Sequence, residues 1–187
     1  MKVTIFNGSP RKQGNTSEFT NAISKKLIEK GVKTEEIMLY TGDIRGCSHC
    51  GACQKKRLPS HCMIMDDMQS LYQMFLDSDL VILATPIYMW QFTPCTLAFM
   101  NRLHCLCEST DFSYNDMKGK KMAVILTMGD GKDVAEPSIS GFTQFCEYYS
   151  IEYKGVVMAE FASKDKIVAG EYNKQIDEFV NSILLDV

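Results

Sequence analysis

The sequence predicts an α/β fold: a doubly wound, five-stranded parallel sheet with helices on both faces. Three observations carry the prediction. Apolar strand-like runs alternate with helical patterns along the chain. Two of the runs, 79–85 (DLVILAT) and 121–128 (KMAVILTM), are continuously apolar, as strands covered on both faces are. The first strand runs directly into a small polar loop at a helix start.

Taken in order, residues 2–7 form the first strand. Residues 16–30 form the first helix, because Phe19, Ile23 and Leu27 recur every fourth position and Gly31 follows. Asn15 with Glu18 fits a helix N-cap pair. A short strand is expected at 34–39, then an irregular insertion over 40–65 that holds half of the cysteines. Asp66 with Gln69 caps a second helix that ends near Leu76. The strand at 79–85 follows. Thr93-Pro94 is a helix start with proline at the first helical position, and that helix reaches about His104. The strand at 121–128, a helix at 138–149, a strand at 153–158 and a helix at 171–185 complete the pattern. No repeat, linker or composition shift divides residues 1–187, so one domain is expected.

The chain has 187 residues, 45% of them hydrophobic and 23% charged, which suits a globular protein with a full core. A formal net charge of -3 gives no reason to propose a nucleic-acid partner. No apolar run is long enough to span a bilayer and no signal peptide precedes the first strand, so no membrane is expected and the cytoplasm is the expected location. Eight cysteines in a reducing compartment point to metal, cluster or redox chemistry before disulfides.

Ligands of such sheets sit beyond the carboxyl ends of the strands. Three loops meet there. The first, 8–16, reads GSPRKQGNT. It offers backbone N–H groups, a helix dipole, hydroxyl and amide donors, and the Arg11 fork, which together suit an anion. It is neither a dinucleotide glycine fingerprint nor a Walker loop, and an ordinary βα loop is the competing reading. The second loop, 86–93, places Tyr88, Trp90 and Phe92 where a flat ligand could stack; a rim packed on a neighbouring subunit is the competing reading. The third, Met128-Gly129-Asp130-Gly131, lets backbone approach a ligand closely, or is a plain glycine turn. Together the three describe a site for a phosphorylated planar molecule.

GSPRKQGNT after the first strand, and PIYMWQFTP with FMNR after the third, resemble the NAD(P)H-dependent FMN reductases of the flavodoxin-like superfamily. The cysteine segment, CSHCGACQKKRLPSHCMIMDDM, is similar to that of their iron–sulfur flavoprotein branch. The resemblance implies a flavodoxin-like fold with strand order 2-1-3-4-5, bound FMN and an NAD(P)H donor. It implies that Ser9, Arg11, Gln13, Asn15, Thr16 and Ser17 hold the FMN phosphate. Pro86, Ile87, Tyr88, Met89 and Trp90 would line the isoalloxazine ring, and Thr127, Met128, Gly129 and Asp130 would close the site. The chain departs from the family at Asp130, where a second glycine is common, and at Met89, which is often aromatic. The resemblance also implies a homodimer or homotetramer.

The spacing Cys47-x2-Cys50-x2-Cys53-x8-Cys62 is a tight triple followed by a single. A [4Fe–4S] cluster suits such a triple. Free or redox-active thiols, and zinc with help from His49 or His61, are the other readings. Cys95, Cys105, Cys107 and Cys146 read as small buried hydrophobes. Asp66 and Asp67 read as helix caps, Arg102 as a helix-end cation or a subunit contact, and Lys118, Lys120 and Lys121 as a solvated turn.

The expected function is transfer of electrons from NAD(P)H through FMN to a quinone, flavin or protein acceptor, with no catalytic side chain, since the flavin carries the chemistry. Two alternatives stand beside it: a flavodoxin-type carrier without nicotinamide turnover, and a phosphate- or nucleotide-binding regulatory module without flavin.

Overall fold

The computed structural model describes residues 1–185; residues 186 and 187, part of the expected 1–187 domain, lie outside the described residues. The strands are β1 (Lys2–Asn7), β2 (Lys33–Met38), β3 (Leu80–Tyr88), β4 (Gln91–Phe92), β5 (Lys121–Thr127) and β6 (Glu152–Ala159). The helices are α1 (Asn15–Glu29), α2 (Ala52–Lys55), α3 (Met68–Leu76), α4 (Pro94–Arg102), α5 (Glu136–Tyr148), α6 (Lys164–Val168) and α7 (Asn173–Leu184).

The parallel strands lie in the order β2-β1-β3-β5-β6, and the short β4 pairs antiparallel with β3. Counted over the parallel strands alone, this is the expected order. The extra strand arises where the sequence reads a loop. β3 does not stop at Thr85 but continues to Tyr88 and folds back, so that Ile87 faces Phe92 and Tyr88 faces Gln91. Phe92 draws the return strand inward, because its ring packs on Phe142 with centroids 6.2 Å apart.

Side chains along the central strands alternate between two cores. Leu80, Ile82 and Ala84 of β3 join Phe19, Ile23 and Leu27 of α1 and Ile176, Phe179 and Val180 of α7 on one face. Val81 and Leu83 join Tyr72 and Phe75 of α3, Phe99 of α4 and Phe142 of α5 on the other. Both faces of β3 and β5 are therefore covered, which explains their unbroken apolar runs.

Several helix starts differ from expectation for local reasons. α1 begins after Gly14, and Asn15 is its first residue rather than its cap. Both members of the expected capping pair are drawn to the chain that follows β6: Asn15 Nδ2 donates to the Ala162 carbonyl at 2.7 Å, and Glu18 pairs with Lys164, the first residue of α6, at 2.7 Å. α4 starts as expected, with Thr93 accepting from the Thr96 amide and Pro94 first in the helix. Lys120 is not part of a solvated turn. Its ammonium donates to the carbonyls of Leu76 and Ser78, satisfying oxygens at and just beyond the end of α3. The short helices α2 and α6 have too few residues to show a period in sequence.

The insertion that precedes α3 has a closed stem. The Asp67 amide donates to the Asp43 carbonyl, and the Asp43 amide returns to the Asp67 carboxylate at 2.7 Å. The Arg45 amide donates to the Asp66 carboxylate at 3.0 Å. Residues 46–63 loop out beyond this stem and carry Cys47, Cys50, Cys53 and Cys62.

Candidate functional site

Asn7, a polar residue closing an apolar strand, organises the first loop. It is fully buried; its Oδ1 accepts from the Ser9 amide at 2.8 Å and its Nδ2 donates to Glu36 at 2.7 Å. Gly8 then passes against the start of α4. Thr93 Oγ1 donates to the Gly8 carbonyl at 2.7 Å, and a Cβ on Gly8 would stand 1.8 Å from Thr96 Oγ1. Glycine is required here by close packing. The Ser9 hydroxyl accepts from the Arg11 amide at 3.2 Å, and the Ser17 hydroxyl donates to the Arg11 carbonyl at 3.1 Å. The loop is thus stapled from inside before any ligand arrives.

Beyond the carboxyl ends of β1, β3 and β5 lies a cavity of about 180 Å³. Ser9, Arg11, Asn15, Thr16, Pro86, Ile87, Tyr88, Thr127, Met128 and Gly129 line it. The first-turn amides of α1 have no acceptor one turn earlier, so their dipoles favour negative charge at this end. The Thr16 and Thr127 hydroxyls meet at 2.7 Å and join the first and third loops. A second cavity of about 370 Å³ continues from it, sharing Ile87, Met128 and Gly129 and adding Met89, Trp90, Asp130 and Val134. A Cβ on Gly129 would meet only open space, so this stretch of backbone is bare toward the cavity.

Two expected residues stand elsewhere. Gln13 is exposed on the loop and outside the cavity lining. The Ser17 hydroxyl is committed to Arg11 and is absent from the cavity lining. The expected ring-lining set divides between the two cavities: Tyr88 borders the polar one, whereas Met89 and Trp90 border the second. These two form the tip of the β3–β4 hairpin, with φ of 49° and 61°. That is the backbone of a type I′ turn, which favours Asn-Gly, and here it carries two large side chains. They are 80% and 53% exposed. Ser138 at the start of α5 braces the tip by donating to the Trp90 carbonyl at 2.8 Å. Ala162, also in the lining, carries no signal in the sequence; only the sheet order brings its loop to this edge.

A separate cavity of about 50 Å³ lies in the cysteine insertion. All four cysteines of the motif line it, together with His49, Arg102, His104 and Cys105. Cys47 and Cys50 are exposed, Cys53 is half-buried and Cys62 is buried. The His49 and Ile64 amides donate to the sulfurs of Cys47 and Cys62, each at 3.4 Å. The donor chemistry therefore suits a soft metal or cluster. The spacing does not close: among the described residues, no three His, Cys, Asp or Glu side chains are gathered to hold a metal ion. Positive φ at His49 and Gly51 turns the chain between the first three cysteines, and the first two of these thiols, Cys47 and Cys50, are exposed.

Residues read as bland in sequence hold this cavity. Arg102 is neither a solvated cation nor exposed for a subunit contact; it is 2% exposed and forms a bidentate pair with Asp66 at 2.6 and 3.0 Å. Burial opposes ionisation of Asp66, but the Arg102 fork and the Arg45 and Met68 amides outweigh it and hold the carboxyl below the ordinary range. The expected Asp66–Gln69 capping pair does not form: Asp67 is the N-cap of α3, the Gln69 side-chain amide turns back to the Ile64 carbonyl at 2.8 Å, and Asp66 accepts from the Met68 amide at 3.2 Å while it pairs with Arg102. Gln54 ties α2 to the 104–109 turn, donating to the Cys107 carbonyl at 2.8 Å and accepting from the Ser109 amide at 2.8 Å. Cys105 is a fifth thiol at this cavity, and burial pushes it up to about 12. Burial, with a contribution from His49, holds His104 below the usual histidine range, and its Nδ1 lies 2.7 Å from the Tyr149 hydroxyl.

Residues 1–163 match the family model described as NADPH-dependent FMN reductase. An iron–sulfur flavoprotein of Archaeoglobus fulgidus is 36% identical over 103 residues, covering 55% of this chain and 46% of that protein, so the match spans less than half of the relative. An iron–sulfur flavoprotein of Methanosarcina thermophila is 28% identical, over 74% of this chain and 71% of that protein. An FMN-dependent NADH:quinone oxidoreductase of Pelagibacter ubique is 25% identical over 95% of both chains. Among solved structures, an NAD(P)H:quinone oxidoreductase of Methanothermobacter marburgensis superposes with a TM-score of 0.72 at 16% identity, over 100% of this chain and 96% of that one. At that identity the likeness is one of fold.

Proposed function

Because this chain belongs to the NADPH-dependent FMN reductase family, we propose that it binds FMN across the two joined cavities and takes electrons from NAD(P)H for a quinone, flavin or protein acceptor. The observation that carries this reading is the junction of a polar, helix-N-terminal cavity with a bare-backbone, aromatic-tipped one at a single sheet edge. Bound FMN would supply the acceptance of hydride and the onward release of electrons. The chain's part is binding and orientation. Ser9, Arg11, Asn15 and Thr16, with the first-turn amides of α1, would hold the phosphate. The backbone of Ile87, Tyr88 and Met128–Gly129 would meet the polar edge of the ring. Met89 and Trp90 would cover its face and exclude water. No acid or base of the chain is needed, so no catalytic side chain is assigned.

No second redox centre is assigned to the cysteine cavity. The names of the relatives favour an iron–sulfur cluster, but the thiols do not converge here, and no electron step is routed through them. Among the described residues no helix is long and apolar enough to cross a membrane. We infer a homodimer or homotetramer, since the exposed hairpin tip would gain cover from a second copy.

The test uses protein purified without oxygen. FMN is titrated, and NADH and NADPH oxidation is followed with a quinone acceptor, alongside assays of iron, acid-labile sulfide and zinc. The expected result is one FMN per chain and sustained nicotinamide oxidation. FMN binding without turnover would favour a carrier. A protein left colourless by added FMN would overturn the proposal. Iron and sulfide near four each per chain would establish a cluster; neither metal would leave the segment as free thiols.

A further inference from the structure

We propose that Arg102 is the positioning residue of the cysteine cavity: its buried guanidinium grips the backbone on both sides of the thiol-bearing loop and so sets which thiols face inward. The inference concerns this loop alone and stands whether or not the larger cavity binds FMN.

Every edge of the guanidinium is used. Nε donates to the Tyr72 hydroxyl at 3.1 Å. Nη1 donates to the Arg45 carbonyl at 2.7 Å and to Asp66 at 2.6 Å. Nη2 donates to the Ile64 carbonyl at 3.3 Å and to Asp66 at 3.0 Å. Arg45 lies two residues before Cys47, and Ile64 lies two residues after Cys62. One rigid fork therefore bridges the entrance and exit of the 47–62 loop. The same side chain lines the cavity beside Cys62 and Cys105.

Gln69 Nε2 also donates to the Cys62 and Ile64 carbonyls, at 3.3 and 2.8 Å, but it holds the exit side alone, whereas Arg102 holds both ends. Asp43, Asp67 and the exposed Arg45 side chain close the outer stem, with Arg45 Nη2 donating to the Met65 carbonyl at 2.6 Å. A lysine could not replace the fork, because it presents a point charge without the planar geometry. A buried ion pair is also a poor source of net stability compared with apolar packing, since both charges must be desolvated. Its use here is geometric.

The test is site-resolved alkylation of the folded, reduced protein with N-ethylmaleimide, read cysteine by cysteine by peptide mass spectrometry. The variants are Arg102→Met, Arg102→Lys, and the double variant Asp66→Asn with Arg102→Met, which removes both buried charges. In the wild type, the exposed Cys47 and Cys50 are expected to label quickly and the buried Cys62 slowly. In all three variants Cys53 and Cys62 are expected to label at least tenfold faster, while the buried Cys146 of α5 stays within twofold of wild type. The sign is the same if the thiols carry a metal, because a displaced loop releases it. Wild-type rates at Cys53 and Cys62 would overturn the proposal. A rise at Cys146 in step with them would also overturn it, as general loosening. Wild-type labelling in Arg102→Lys would overturn it too, by showing that charge alone suffices.

Discussion

Removing the Arg102 guanidinium leaves the buried Asp66 carboxylate with only the exposed Arg45 guanidinium, 3.8 Å away, as counter-charge; loss of a buried partner costs about 3–5 kcal/mol in comparable sites. The pair also makes stability depend on pH with a definite sign. Asp66 is held below the ordinary carboxylate range, so the unfolded chain takes up a proton there more readily than the native one. Its stabilising contribution is present above the unfolded carboxyl value, about 4, and is lost as pH falls through the native value. Urea midpoints measured from neutral pH into acid should fall steeply for the wild type. They should fall less for the double variant that lacks both charges; an equal slope would remove this pair from the acid sensitivity. None of this is legible in sequence. Arg102 reads as a helix-end cation because its partners, Asp66, Arg45 and Tyr72, lie 36, 57 and 30 residues away. That Ser9, Arg11 and Thr16 border one cavity is readable, since a strand, a glycine turn and a helix start within one short stretch place them locally.

The β3–β4 hairpin is the element in which sequence and structure disagree most. An X-Pro step and a run without Gly or Asn at the tip argue against a tight hairpin, yet Met89 and Trp90 hold left-handed conformations at its turn. Tertiary packing overrides the local preference: Phe92 is buried against α5, and Ser138 braces the Trp90 carbonyl. Such residues cost on the order of 1–3 kcal/mol each. The double variant Met89→Asn with Trp90→Gly relieves that strain and should raise the melting temperature by about 2–4 °C per kcal/mol recovered. The same change strips the apolar cover from the second cavity, so FMN should dissociate faster. Thermal melts and flavin-release rates on one preparation check both arms. A variant that is stabilised and keeps its flavin would show the tip to be idle in binding.

For the whole molecule, the doubly covered sheet was legible because β3 and β5 are unbroken apolar runs and α1 keeps a four-residue period. The cysteine insertion was legible only as irregular, because its order comes from side-chain contacts with distant elements such as the 104–109 turn. This contrast predicts uneven opening. Amides of β1, β3 and β5 should exchange only through global unfolding, and those of 46–51 through cheap local opening. Hydrogen exchange read by mass spectrometry should separate them by orders of magnitude; equal protection would mean that the insertion is as cooperative as the sheet. One helix joins the two regions. The N-cap of α4, Thr93, holds Gly8 of the first loop, and its last residue, Arg102, holds the cysteine loop. At about 1.5 Å and 100° per residue, the backbone positions that bear those two grips are about 13.5 Å apart along the helix axis, at a fixed angular phase. A one-residue insertion within α4 would swing the fork by about 100° out of its slot while lengthening the helix by only about 1.5 Å. The helix therefore acts as a keyed spacer, far more tolerant of a small change in length than of a change in rotation.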